Sequence, residues 1–201
     1  MKKLLIATHN PGKLKEFKAF LSGVPIEIVS LSDVGITEDV EEDGKTYEEN
    51  SQKKAVFFSK KSGLPALADD GGLEIAALNG EPGIHSRRWL GYRATDEELI
   101  EHMKKVSKTL PENNRKAFFK TVVSIALPDG RVWSVLGEIE GIIAKKPLLK
   151  LSKGYPYRSF FFLPGLNKYY FESELTPEEM KMHNHRYKAV LEIKQLLKKL
   201  T

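Results

Sequence analysis

Side chains able to handle phosphate and a hard cation are concentrated in three short stretches of this 201-residue chain. The first is Thr8-His9-Asn10-Pro11-Gly12-Lys13. It follows the apolar run Leu4 to Ala7, short enough for one buried strand, and precedes Leu14, Phe17 and Leu21 at helical spacing. The stretch therefore reads as a loop at a helix N-terminus, where free backbone N–H groups and the helix dipole favour an anion. Lys13 adds a full positive charge, and Thr8 and Asn10 can hydrogen-bond phosphate oxygens. An ordinary βα turn with a surface lysine has the same spacing, and a Walker-type loop would need Gly at both ends and Ser or Thr after the lysine, where this chain has Ala7 and Leu14.

The second stretch is Asp69-Asp70-Gly71-Gly72, placed by the apolar Ala66-Leu67-Ala68 at the expected end of a strand. Two carboxylates on a glycine-flanked turn suit Mg²⁺, which takes a few carboxylates together with water and phosphate oxygens. A solvated turn accounts for the same residues. The third stretch is the acidic run Glu38, Asp39, Glu41, Glu42 and Asp43 in a chain of net charge +5. An acidic cluster in a basic protein is what metal-assisted phosphate chemistry needs; a solvated loop has the same composition.

Ala7-Thr8-His9-Asn10-Pro11-Gly12-Lys13-Leu14-Lys15-Glu16-Phe17 resembles the opening of the inosine/xanthosine triphosphate pyrophosphatases, in which this loop grips the triphosphate. Leu67-Ala68-Asp69-Asp70-Gly71-Gly72-Leu73 resembles that family's Asp-Asp-Ser-Gly-Leu stretch, and Glu41 to Asn50 resembles its Glu-Glu-x-Gly-x-Thr-Phe-x-Glu-Asn segment. The resemblance implies that Asp70 is a metal ligand and water-activating base, and that one glutamate, Glu42 ahead of Glu41, completes a Mg²⁺ site. It implies that Thr8, His9, Asn10, Pro11, Gly12, Lys13, Lys54, Gly71 and Arg88 bind substrate, with Gly71 standing where the family has Ser. Arg88 comes from Gly80 to Arg88, similar to Gly-x-Pro-Gly-x-x-Ser-x-Arg.

The nucleoside-binding half departs from the family. Tyr157, Arg158 and Ser159 occupy the Gly, Tyr and Asp positions of Phe-Gly-Tyr-Asp-Pro. Asn184-His185-Arg186 stands for Ser-His-Arg, keeping His185 and Arg186 as base-reading residues. The lysine column holds Met180, with Lys181 one position later, an offset that turns a helical side chain by about 100°. The resemblance further implies an α/β fold in which helices flank a mixed central sheet, with two lobes and a cleft between them. It implies one pyrophosphohydrolase domain over 1–201, a nucleoside triphosphate substrate, a homodimer and a cytoplasmic location.

The elements that must position these residues follow from periodicity. Helices are expected over 11–22, from Thr46 to Lys61, and from Thr95, where Glu98 completes a capping box, to about Ser107. Ile26, Ile28 and Val29 form a second strand; 117–127 and 132–143 read as a hairpin around Pro128-Asp129-Gly130. Tyr155 to Leu163 is strand-like, and Thr176-Pro177-Glu178-Glu179 opens a last amphipathic helix. With no cysteine, thiol catalysis and disulfides are excluded, and no apolar segment is long enough for a membrane span. No nucleic-acid partner is expected, although Phe160-Phe161-Phe162 offers either a stacking platform or a strand buried in the core.

Overall fold

The computed structural model describes residues 2–148 and 150–200. The first half alternates β1 (Lys2–Ile6), α1 (Pro11–Phe20), β2 (Ile26–Ser30), α2 (Tyr47–Ser62) and β3 (Ala66–Ile75). There follow α3 (Asp96–Thr109), β4 (Lys116–Ala126), β5 (Val132–Ile143), β6 (Phe161–Leu163), β7 (Lys168–Tyr169), α4 (Pro177–Met182) and α5 (His185–Leu200). The strands pair in the order β2-β1-β3-β4-β5-β6-β7. β1 is parallel to β2 and β3, whereas β6 is antiparallel to β5 and β7, so the sheet is mixed, as expected. Among the described residues no helix is long and apolar enough to cross a membrane.

The chain forms two compact units. One comprises residues 1–70, 121–137 and 186–201, the other residues 71–120 and 138–185. In the first, the near-continuous apolar run of β1 is explained by helices on both sheet faces. Leu4 and Ile6 pack with Phe17 and Phe20 of α1 and with Val190, Ile193 and Leu197 of α5. Leu5 and Ala7 point the other way and pack with Ala55 and Phe58 of α2. The same alternation runs through β3, where Leu67 joins the α1/α5 side and Ala66 and Ala68 the α2 side. Leu4, Leu5 and Ile6 are no more than 1% exposed, and burying each contributes about 1.5–3 kcal/mol.

In the second unit, Leu99 and Met103 of α3, Ala117 and Phe119 of β4, Ile139 and Ile143 of β5, and Phe160, Phe161 and Tyr170 share one core. Thr95 and Glu98 form the expected capping box on α3, and Thr176 and Glu179 form another on α4.

Three expectations about elements are corrected. Asp69-Asp70-Gly71-Gly72 is not a turn; it lies inside β3, which runs through to Ile75. Gly72 is required by close approach: a Cβ there would fall 2.2 Å from Ser86 Oγ and 2.3 Å from the Gly83 carbonyl oxygen. Tyr155 to Leu163 is not one strand, because residues 158–160 make a 3-10 turn and only Phe161–Leu163 pairs. Phe160 and Phe161 are fully buried, which removes them as a stacking platform. The C-terminal helix is two helices, parted at His183 and Asn184, where the buried Asn184 interrupts the amphipathic pattern.

Candidate active site

The alternation of β3 decides what each member of the acid pair can do. Asp69 follows Leu67 onto the α1/α5 side and meets Lys13 and Arg186; Asp70 follows Ala68 onto the α2 side and meets Asn50. Asp69 Oδ2 is 3.0 Å from Lys13 Nζ, 2.9 Å from Arg186 Nε and 3.3 Å from Thr121 Oγ1. Arg186 also pairs with Glu16 Oε2 at 3.4 Å. Burial would push the Asp69 carboxyl up, but Lys13, Arg186 and Lys54 outweigh it and hold the group well below the usual carboxylate range. Lys13 does not rise in return: burial pulls its ammonium below the ordinary value against the pull of Asp69.

On the other side, Asn50 and Lys54 lie one helical turn apart on α2. Asn50 Nδ2 donates to Asp70 Oδ2 at 2.9 Å, and its Oδ1 accepts from Gly44 N at 2.8 Å, tying the acidic loop to the strand. A Cβ on Gly44 would come within 2.7 Å of that oxygen, so the loop closes on Asn50 only with glycine there. Lys54 Nζ donates to Glu42 Oε1 at 2.5 Å and to the Asp69 carbonyl oxygen at 2.6 Å. Burial acts against the charge on Lys54, but Glu42, Asp70 and Asp69 overcome it and leave the ammonium above its ordinary value. For Asp70, burial raises the carboxyl, Lys54 lowers it and Glu42 raises it again, and the balance lies above the ordinary value.

This donor set fits a hard divalent cation. Glu42, half-buried, and Asp70, buried, are carboxylates near enough to repel, and water and phosphate oxygens could complete a coordination shell around an ion between them. Among the described residues no three His, Cys, Asp or Glu side chains gather as a closed metal cage, so any ion here relies on ligands from solvent or substrate.

The anion loop is more self-contained than its sequence suggests. Asn10 is the N-cap of α1: its Oδ1 accepts from Gly12 N at 2.8 Å and Lys13 N at 3.2 Å, and Pro11 opens the helix. Thr8 Oγ1 accepts from Asn10 N at 3.2 Å, and His9 Nε2 donates to the Glu38 carbonyl oxygen at 2.9 Å. The Gly12 and Lys13 amides are thus already partnered, which leaves the Lys13 ammonium, 17% exposed, as the loop's charged group for a ligand.

The remaining expected residues lie in the second unit. Tyr157 OH donates to the Ser86 carbonyl oxygen at 2.6 Å, and burial pushes its phenol up. Asp96 pairs with Arg87 and accepts from Gly154 N at 2.6 Å, pinning the loop ahead of Tyr157. The Arg158 guanidinium stacks over Tyr155 at 3.6 Å and lies 5.1 Å from the Tyr170 ring. Arg158 and Ser159 are buried, and His185 stacks on Phe119 at 5.4 Å with 14° between the rings. Arg88 is half-buried in a 3-10 helix over Gly83–Arg88. Lys181 is exposed, whereas Met180 packs against the core. Gly71 continues β3 half-buried.

Sequence reasoning assigned no individual role to Asn50, Asp69, Thr121 or Glu16. Helical spacing to Lys54 and strand alternation were the signals for the first two. Thr121 and Glu16 needed the fold.

The sequence profile described as the Ham1 family matches residues 4–196. The chain is 40% identical over 199 residues to the dITP/XTP pyrophosphatase of Thermoanaerobacter pseudethanolicus, covering 98% of each. It is 36% identical over 197 residues to the protein of that name from Bacillus subtilis, again covering 98% of each. The solved structure of a HAM1 protein from Coxiella burnetii superposes with a TM-score of 0.85 at 33% identity, over 99% of this chain and all of that one.

Proposed function

Because this chain belongs to the Ham1 family, we propose that it hydrolyses triphosphates of deaminated purine nucleosides, such as inosine and xanthosine triphosphate, to the monophosphate and pyrophosphate. The observation that carries this reading is the division of the acid pair. Asp69 is spent on holding two cations, while Asp70 stands beside Glu42 with a carboxyl that burial and its neighbour keep easy to protonate.

Glu42 and Asp70 would hold Mg²⁺, which when bound supplies charge neutralisation to phosphate oxygens and eases the ionisation of water. Asp70 takes the proton of the water that attacks the α-phosphorus. The bond between that phosphorus and the bridging oxygen breaks, and pyrophosphate leaves with the bond's electron pair. Lys13 and Lys54, from α1 and α2, neutralise the charge that develops on the leaving group. Thr8, His9, Asn10, Pro11 and Gly12 shape the loop that presents Lys13, and Gly71 supplies backbone where the family has a hydroxyl. Arg88, Tyr157, Arg158, Ser159, Lys181, His185 and Arg186 are proposed, on the resemblance, for the nucleoside half. The chain works as one domain, as a homodimer and in the cytoplasm; sedimentation velocity checks the dimer.

The test is a panel of inosine, xanthosine, guanosine and adenosine triphosphates assayed for pyrophosphate with and without Mg²⁺. The 6-oxo purines should exceed ATP in kcat/KM, because a donor placed for an oxygen is left unpaired against an amino group, at a cost of about 1–3 kcal/mol. An ATP preference, or release of pyrophosphate independent of Mg²⁺, overturns the proposal. A second expected result concerns Lys13→Ala. It should weaken triphosphate binding by about 1.5–3 kcal/mol in calorimetry and leave monophosphate binding nearly unchanged. Equal loss for both ligands would move Lys13 away from the pyrophosphate end.

A further inference from the structure

Lys54 is held by one of the two carboxylates that a divalent cation would claim. Its ammonium, on a side chain 11% exposed, lies 2.5 Å from Glu42 Oε1 and 2.6 Å from the carbonyl oxygen of Asp69, the residue next to Asp70. An ammonium so placed gives the carboxylate pair the positive charge that a metal ion otherwise brings. Its staying on Glu42 while a divalent ion sits there too is disfavoured, since two like charges would share one carboxylate in a half-buried setting.

The charge inventory points the same way. The cations Lys13, Lys54 and Arg186 face the carboxylates Glu16, Glu42, Asp69 and Asp70, so the ligand-free cluster is already close to balanced. A divalent ion added alone would leave excess positive charge, which a polyphosphate anion removes. Lys13 pairs with a carboxylate 1% exposed, whereas the carboxylate paired with Lys54 is 32% exposed. Lys54 is therefore the cation whose partner an incoming ligand can reach, and its ammonium sits on a flexible four-carbon stem.

Resting on the Glu42–Asp70 metal reading above, we propose that Lys54 is an exchangeable resident counter-ion of the metal site. Without nucleotide its ammonium holds Glu42 and keeps a free divalent cation out. A triphosphate offers Lys54 a phosphate oxygen, draws it off Glu42 and lets nucleotide and cation enter together. Lys54 is then a positioning residue for metal entry as well as a phosphate contact.

Mn²⁺ binding without nucleotide, followed by the paramagnetic resonance signal of the free ion, tests this. Lys54→Met should bind Mn²⁺ at least about tenfold more tightly than wild type, and Lys54→Arg, which keeps the charge, about as weakly as wild type. Adding Asp70→Asn to Lys54→Met should abolish the gain. Circular dichroism checks folding, and Lys54→Gln serves if the Met variant does not fold. Should Lys54→Met bind Mn²⁺ no more tightly than wild type while Asp70→Asn still weakens binding, the exchange is wrong and the metal assignment stands. Should Asp70→Asn change nothing in either background, the metal assignment falls and the exchange with it.

Discussion

Asp70→Asn should lower kcat by at least about 10² while leaving the protein no less stable than wild type. The loss has two sources, a charge removed from the metal site and a base removed from the attacking water, in a side chain of nearly unchanged shape. The stability half follows from linkage. The folded-state carboxyl of Asp70 lies above its ordinary value, with burial as the largest cause, so its ionised form is disfavoured by folding. A group shifted in that direction contributes stability below the unfolded value of about 4, and the contribution is lost as pH rises through the folded value. At neutral pH the ionised Asp70 therefore costs stability, and asparagine removes the cost. In metal-free protein the difference in melting temperature between variant and wild type should widen in the variant's favour as pH rises from about 4. Near wild-type hydrolysis by Asp70→Asn would dismiss Asp70 as the base. A large fall in melting temperature would show instead that the carboxylate is structural.

That contrast between neighbours bears on how much of the site was legible in the chain. β1 and β2 were readable as short apolar stretches, and α1 and α2 because each carries a helical period with a chemical start or stop: Asn10 and Pro11, Thr46, Gly63. The acid pair misled because glycine after aspartate is turn chemistry, whereas Gly72 is there to let Ser86 and Gly83 approach the strand. Read as a strand, Asp69-Asp70 must split between two faces, and the covering helices already identified would have assigned Lys13 to one side and Lys54 to the other. Lys54 and Glu42 were legible as charges but not as partners, since a contact across twelve residues depends on the loop path that Asn50 fixes. Arg158 was the least readable. Its type suggested a donor to a ligand, and only the fold shows the guanidinium lying on Tyr155 in a buried position. Arg186 is similar: its expected role is on a base, and the structure engages its Nε with Asp69 and an NH group with Glu16.

Asp69→Asn is the substitution expected to damage the fold itself. It leaves Lys13 and Arg186 facing a neutral amide at a position 1% exposed, and breaking a buried ion pair from one side costs about 3–5 kcal/mol. For a chain of this length that corresponds to a fall in melting temperature of roughly 6–20 °C. The pH dependence runs opposite to that of Asp70. Burial, the largest influence, would raise the Asp69 carboxyl, but Lys13, Arg186 and Lys54 together hold it below the ordinary value. Its contribution is therefore complete above the unfolded value of about 3.9 and is lost as pH falls through the folded one. The gap between wild type and variant should be widest near neutrality and close in acid below about pH 4. Lys13 gives a second readout, because without Asp69 its ammonium loses the anchor that aims it, and KM for triphosphate should rise more than kcat falls. Unfolding in urea at pH 7 and at pH 3 decides the matter. A gap of the same size at both values would mean that Asp69 stabilises the fold by packing and not by its charge.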